Sequence, residues 1–152
     1  MFKIIFIIIL ILFDITIKQL VFHSIDLYKF IYITSFLDIT HIHNLGISFG
    51  LFSDKFHPFV FILIGIVITI FIFILFLNSK QLLEKWAYAL ILAGAIGNIV
   101  DRSINGFVID FIYLHYKDFY WPAFNLADIY ISIGIFIIVL QIFDDIRKRE
   151  IN

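Results

Sequence analysis

Two aspartates stand in an otherwise strongly apolar chain, where their chemistry could support catalysis. Asp110 lies in the run GFVIDF, and Asp128 ends the run FNLAD. Ionisable side chains at membrane depth are costly, so a pair of them predicts a functional site. Two facing acids would share one proton, and one could activate a water while the other protonates the carbonyl or the leaving amine. This is peptide hydrolysis without a covalent intermediate. A helix N-cap or a headgroup-level charge is the alternative, and position alone leaves both open.

The composition of the chain indicates a membrane protein. Of its 152 residues 62% are hydrophobic and 15% are charged, and the mean hydropathy is +1.06, whereas about a quarter of the residues of a soluble domain are charged. The absence of cysteine excludes disulfides, thiolate metal sites and a cysteine nucleophile. A net charge of −1 without a basic run gives no footprint for nucleic acid.

Four stretches are long and apolar enough to span a bilayer, which needs about 20 residues. Polar residues such as Asp14 and Lys18 follow the first apolar run in place of a cleavage site, so it is expected to be a permanent helix and not a signal peptide. Short alternating apolar segments in region 23–58 predict a small β-containing surface region. The expected fold is an all-α integral membrane protein of one domain, residues 1–152, with a small extracytoplasmic β-region between helices 1 and 2 and transmembrane helices near 2–22, 59–77, 86–102 and 123–143.

Lysine and arginine near the helix ends predict that both termini face the cytoplasm. Counting 1.5 Å per residue from the inner side places Asp110 and Asp128 at the outer boundary, about 28 Å from Arg147 in the case of Asp128. Asp14 and Lys18 then lie in the outer half as well. The polar intramembrane residues are therefore expected to gather in one layer.

Two pairs of polar residues have the spacing of one helical turn. Asp14 and Lys18 are four apart with the acid first, the favourable order for an ion pair, which could be structural or could shape the wall of the site. Asn98 and Arg102 share a helix face, and Arg102 could bind a substrate carbonyl or a lipid phosphate, or anchor the helix at the interface.

Other residues carry weaker signals. Ala89, Ala93 and Gly97 recur every four positions, which predicts close helix packing. His41 and His43 resemble a strand-borne metal pair, but no HExxH motif or third ligand at helical spacing accompanies them, so no metal is expected.

Four ordered blocks resemble the lipoprotein signal peptidase (signal peptidase II) family of membrane aspartic peptidases over nearly the whole chain. They are DITIK at 14–18, NLGISF at 44–49, GAIGNIVDR at 94–102 with GFVIDF at 106–111, and FNLAD at 124–128. The resemblance implies that Asp110 and Asp128 are the catalytic dyad. It also implies supporting polar or small residues at Asp14, Lys18, Asn44, Gly94, Asn98, Arg102 and Asn125.

This chain departs from the family pattern in few places. Ile47 and Ser48 stand where the family usually has two small residues, a difference that bears on the local shape of the substrate groove, and Ala93 replaces a frequent glycine.

The resemblance implies an aspartic endopeptidase of the bacterial inner membrane, without cofactor or metal. Its substrates would be prolipoproteins whose cysteine carries diacylglycerol, cleaved on the N-terminal side of that cysteine at the outer face. Membrane lipids are the other expected partners, and a monomer is expected. The rivals are a small transporter or proton-conducting subunit, an aspartyl membrane peptidase of another type, whose GxGD signature is absent, and a non-catalytic scaffold.

Overall fold

The computed structural model describes residues 2–46 and 56–151, with side chains through residue 148. Ile47 and Ser48, which the sequence singles out, lie outside the described residues. The elements in chain order are α1 Phe2–Ser24, β1 Phe30–Thr34, β2 Leu37–Asn44, α2 Pro58–Asn78, α3 Leu82–Asn105, β3 Val108–Tyr116, β4 Phe119–Tyr120 and α4 Leu126–Ile151.

The four helices have the length and apolarity of membrane spans, as predicted. α3 is the central helix and packs against α1, α2 and α4. Apolar side chains cover most of the outward faces of the other three, where lipid would surround them. α3 ends where Gly106 adopts a left-handed conformation with φ 80° and its N–H bonds to the carbonyl of Arg102. Glycine takes this conformation without steric cost, so the chain can turn sharply into β3.

The sheet is antiparallel with strand order β1-β2-β3-β4. The region between α1 and α2 contributes β1 and β2, in agreement with the predicted β-region. The connection between α3 and α4 lies outside the predicted β-region, yet it contributes β3 and β4. Val108–Tyr116 is rich in β-branched and aromatic residues, which favour a strand, and it completes the sheet by pairing with β2.

The helix ends show which polar residues share a side. The ammonium of Lys3 lies 5.2 Å from the ring centroid of Trp86, and Gln141 donates a 3.1 Å hydrogen bond to Gln81. The start of α1, the start of α3 and the end of α4 therefore lie at one end of the bundle. The sheet lies at the opposite end, where α1 and α3 end and α4 begins.

The fourth helix begins at Leu126, three residues after the predicted start at residue 123. Phe124 forms a bridge with Ile112 of β3, so the segment before the helix is held against the sheet. Asn125 then caps the helix, which places Asp128 in its first turn.

Candidate active site

Asp110 lies in β3 and is almost fully buried, with 3% of its surface exposed. One carboxylate oxygen accepts a 2.9 Å hydrogen bond from the amide of Asn44, and the other accepts a 2.6 Å bond from the amide of Asn125. Burial, and next the negative charge of Asp128, raise the pKa of Asp110 to about 7, although the two amide donors act in the opposite direction. Near neutral pH this carboxyl can therefore hold a proton and release it.

Asp128 is the third residue of α4 and forms a reciprocal cap with Asn125. The backbone N–H of Asp128 donates to the Asn125 side-chain oxygen at 3.0 Å, and the backbone N–H of Asn125 donates to the Asp128 carboxylate at 3.3 Å. This is the geometry of a capping box. The amide of Asn98 donates a 2.9 Å hydrogen bond to the other carboxylate oxygen of Asp128.

Asn125 joins the two acids because its side chain contacts both of their segments. Its amide nitrogen donates to Asp110, while its amide oxygen accepts the N–H of Asp128. Asn125 thus hydrogen-bonds one acid and caps the helix that carries the other. Asp110 and Asp128, 18 positions apart in the chain, meet at one buried amide.

A buried ammonium lies behind the two acids. Lys18 Nζ is 2.8 Å from a carboxylate oxygen of Asp14, the ion pair that the spacing predicts. It also donates a 2.8 Å hydrogen bond to the side-chain oxygen of Asn98, whose amide binds Asp128. The other oxygen of Asp14 accepts the backbone N–H of Ala127 at 3.0 Å. The ion pair therefore holds α1 against α3 and α4, and through Lys18 it contacts Asn98, which binds Asp128.

Arg102 binds backbone in this structure. Its guanidinium donates to the carbonyls of Asn44 and Gly46, and its carbon lies 5.5 Å from the ring centroid of Phe61. These contacts fix the end of β2, from which Asn44 reaches Asp110. Contact of Arg102 with substrate stays a prediction.

Gly94 allows α3 to approach α4 beside the dyad. A Cβ atom built at Gly94 would lie 2.2 Å from the backbone oxygen of Ala127, too close for any side chain. A Cβ atom at Gly97 would lie 2.9 Å from the carboxylate of Asp14. Ala89 and Ala93 are fully buried on the same helix, so the close packing predicted from the small residues is observed.

Asp101 is not among the predicted site residues, yet it is buried beside them with 4% exposure. Its carboxylate lies 3.7 Å from Lys18 Nζ and accepts the backbone N–H of Ile109 at 2.8 Å. The general expectation that an acid within a membrane span is functional would have found it.

His41 and His43 are in contact through their Nε2 atoms, 3.0 Å apart, and Nδ1 of His41 lies 2.8 Å from the carbonyl of Ile25. Burial, and next the neighbouring His41, lower the pKa of His43, which favours the neutral form of this ring. Within residues 2–46 and 56–151 no three His, Asp or Glu side chains are placed to hold a metal ion. The absence of a metal cofactor stays a prediction.

A cavity of about 340 Å³ opens beside Asp128 between α2, α3 and α4. Its polar end includes Asn98, Arg102 and Asp128, and isoleucines from the three helices form much of its remaining wall. An apolar chain could therefore lie next to Asp128.

The chain matches the family model described as signal peptidase (SPase) II over residues 6–144. It belongs to the signal peptidase II family. It is 36% identical over 139 residues to the lipoprotein signal peptidase of Pseudoalteromonas atlantica, covering 89% of this chain and 84% of the relative. It is 45% identical over 113 residues to that of Thermodesulfovibrio yellowstonii, covering 74% and 73%.

Solved structures agree with this family assignment. Two bacterial membrane enzyme structures determined by the in meso method, at 2.3 and 1.9 Å resolution, align with TM-scores of 0.86 and 0.83 and 30% identity. Each alignment covers 94% of this chain, and the two cover 88% and 93% of the solved chains. This signal peptidase II is therefore a multi-pass membrane peptide hydrolase that acts in prolipoprotein processing.

Proposed function

We propose that this signal peptidase II cleaves prolipoproteins as an aspartic endopeptidase, with Asp110 and Asp128 as the catalytic dyad. The observation that carries the proposal is the position of Asn125, whose side chain binds the carboxylate of Asp110 and the backbone N–H of Asp128. The charge of Asp128 and the burial of Asp110 favour one shared proton at neutral pH. That state supplies a base and an acid at the same time.

In the proposed reaction Asp110 starts protonated and Asp128 starts as the carboxylate. Asp128 removes a proton from a water, whose oxygen attacks the scissile carbonyl while Asp110 protonates the carbonyl oxygen. The C–N bond of the tetrahedral diol then breaks. Asp128 gives its proton to the leaving amine, and the collapsing diol returns a proton to Asp110. Water is consumed, the dyad regains its starting state and no covalent enzyme intermediate forms.

The substrate is a prolipoprotein whose cysteine carries diacylglycerol, cleaved on the N-terminal side of that cysteine. The apolar cavity beside Asp128 supports this assignment, since it gives lipid or an apolar signal segment a place beside the dyad. Binding energy from these remote groups can orient the scissile bond and be realised in the transition state.

The orientation follows from the charged residues at the helix ends. The end of the bundle opposite the dyad carries Lys3, Lys80, Lys85, Arg147, Lys148 and Arg149, which favours a cytoplasmic location. Both termini then face the cytoplasm and the dyad faces the outer side of the bacterial inner membrane. One chain supplies both acids, so we propose that the peptidase acts as a monomer among membrane lipids.

A transport function is not favoured. Transport would be expected to place polar residues near the membrane midplane. Here Asp14, Lys18, Asn98 and Asp128 form one hydrogen-bonded layer at the sheet end of the bundle.

The first prediction tests the dyad by Asp110→Asn and Asp128→Asn in purified, lipid-reconstituted protein. An amide can neither take nor deliver the required proton, so each variant should lose cleavage of a diacylglyceryl-modified lipobox peptide by at least a thousandfold in kcat. Asp26→Asn, on a side chain that is 87% exposed, is the matched control and should retain full activity. Activity of either dyad variant within tenfold of wild type, about 1.4 kcal/mol of barrier, would remove that residue from the dyad.

The second prediction concerns metals. A chelator should leave cleavage unchanged, whereas a peptide analogue that places a hydroxyl between the two carboxylates should inhibit. Loss of activity in chelator, recovered on adding zinc, would contradict the aspartic mechanism and would direct attention to His41 and His43.

A further inference from the structure

The carboxylate of Asp101 contacts three residues near the dyad. One carboxylate oxygen accepts the side-chain amide of Asn105 at 2.7 Å, in the last turn of α3. The other accepts the backbone N–H of Ile109 at 2.8 Å and lies 3.7 Å from Lys18 Nζ. Asp101 therefore links the end of α3, the start of β3 and the buried ammonium of α1.

The bond to Ile109 fixes the residue directly before Asp110. Ile109 is fully buried and lies opposite His43 in the ladder with β2. Its N–H points away from β2 toward α3, where Asp101 accepts it. Leaving a buried N–H without an acceptor is costly, so the carboxylate of Asp101 determines where this part of the strand can lie.

Asp14 makes the same kind of contact on the other side of the dyad. It accepts the backbone N–H of Ala127, the residue directly before Asp128, and it too pairs with Lys18. One ammonium thus lies between two acids, and each acid holds the backbone of the residue that precedes a dyad member. Asp101 on the Asp110 side and Asp14 on the Asp128 side therefore make equivalent contacts, each with Lys18 and with one backbone N–H.

We propose that Asp101 is a positioning residue for Asp110, and that its contact with Lys18 sets the spacing between the two dyad carboxyls. The proposal rests on the proposed aspartic mechanism. The charged or titratable groups around Asp101 are Asp14 and Lys18 from α1, Arg102 beside it on α3 and His43 from β2.

Asp101→Asn tests the role of Asp101. The variant keeps one oxygen that can accept the N–H of Ile109, but it loses the negative charge opposite Lys18. Its new amide group then faces the amide of Asn105, so that two donors oppose each other. A displacement of Asp110 by about 1 Å should lower kcat by roughly a hundredfold. KM should stay within twofold of wild type, because Asp101 has no contact with the cavity. Asn105→Ala, which frees the other oxygen of Asp101, should show the same pattern with a loss of about tenfold.

Two further readouts distinguish positioning from a loss of folded protein. The pH profile of kcat/KM should change shape, because the spacing of two coupled acids sets how far apart their ionisations lie. Infrared titration of the Asp110 carboxyl, taken as the difference between each protein and its Asp110→Asn counterpart, should show a shifted midpoint in Asp101→Asn. Asp26→Asn is the control for removal of an acid at this end of the molecule.

The results distinguish failure of the proposed role of Asp101 from failure of the proposed function. A folded Asp101→Asn protein with kcat within threefold of wild type and an unshifted Asp110 midpoint overturns the proposal. So does a loss of kcat that only follows the folded fraction, with an unchanged pH profile. If Asp101→Asn does not fold, Asn105→Ala decides by the same criteria. If the wild type does not cleave lipidated peptide, the proposed function fails, while the infrared titration still decides the role of Asp101.

Discussion

Replacing Asp110 by Asn should change the pH dependence of stability in a calculable way. In the folded protein the pKa of Asp110 is raised from 3.8 to about 7 by burial and by Asp128. Between these values the folded state binds more protons than the unfolded state. The free energy of unfolding therefore falls as pH rises from about 4 to about 7, and this contribution is constant above and below that window.

The size of the effect follows from the shift. About three pKa units at 1.36 kcal/mol each correspond to a loss of about 4 kcal/mol across the window. The Asn variant has no carboxyl at this position, so its stability does not fall across this window. However, the two oxygens of Asp110 accept the amides of Asn44 and Asn125, and in the variant one of these donors meets an NH₂ group, at a cost of about 1–3 kcal/mol. Asp110→Asn should be less stable than wild type at pH 4 and more stable by roughly 1–3 kcal/mol at pH 8.

Unfolding of the two proteins in the same detergent at pH 4 to 9 measures this difference. Titrating groups that do not interact with Asp110 are common to both proteins and cancel, whereas Asp128, whose charge raises the pKa of Asp110, contributes to the difference together with Asp110. A wild-type minus variant difference that is constant within about 1 kcal/mol over this range would refute a near-neutral Asp110. It would also remove the proton that the proposed mechanism requires at the start of the cycle.

Two further predictions concern packing and substrate. Gly94→Ala should lower the free energy of unfolding by roughly 1–3 kcal/mol, because its Cβ would meet the backbone of Ala127. Gly65→Ala, whose Cβ would meet only the side chain of Ile99, should cost less, and equal losses in thermal unfolding would contradict this account. An unlipidated lipobox peptide should have kcat/KM at least a hundredfold below the lipidated one, the equivalent of burying only about three to four CH₂ groups. Equal values would favour a general membrane endopeptidase.

The four spans were predictable because a bilayer span needs about 20 apolar residues, a strong and local signal. The Asp14–Lys18 ion pair was predictable because its partners are one helical turn apart. The assignment of Asp110 and Asp128 as a dyad depended on the resemblance. Composition and position alone left capping as an equal alternative, and Asp128 does take part in the cap.

The contacts between distant segments were not predictable from spacing. Lys18 and Asn98 are 80 positions apart, and nothing local indicates that they meet. The β3 strand was not predicted, because its short apolar run lies between two spans and a β-region was expected only between helices 1 and 2. Asp101 was overlooked because its partners, Ile109 and Lys18, become neighbours only once β3 turns back along α3.

The position of Lys18 on the first helix has a consequence for membrane insertion. α1 leaves the ribosome before α3 and α4, so the partners that these helices supply do not yet exist when it enters the bilayer. A single charge at the helix centre costs about 2.5–3.5 kcal/mol on insertion scales, which is an upper bound for residues in the outer half of the membrane. Because Asp14 and Lys18 lie one turn apart on α1 and pair with each other in the folded protein, we expect the same pair to lower the insertion cost of α1 before the other helices arrive. When α3 and α4 insert later, Asn98 and Ala127 bind this ion pair and place it beside the two acids.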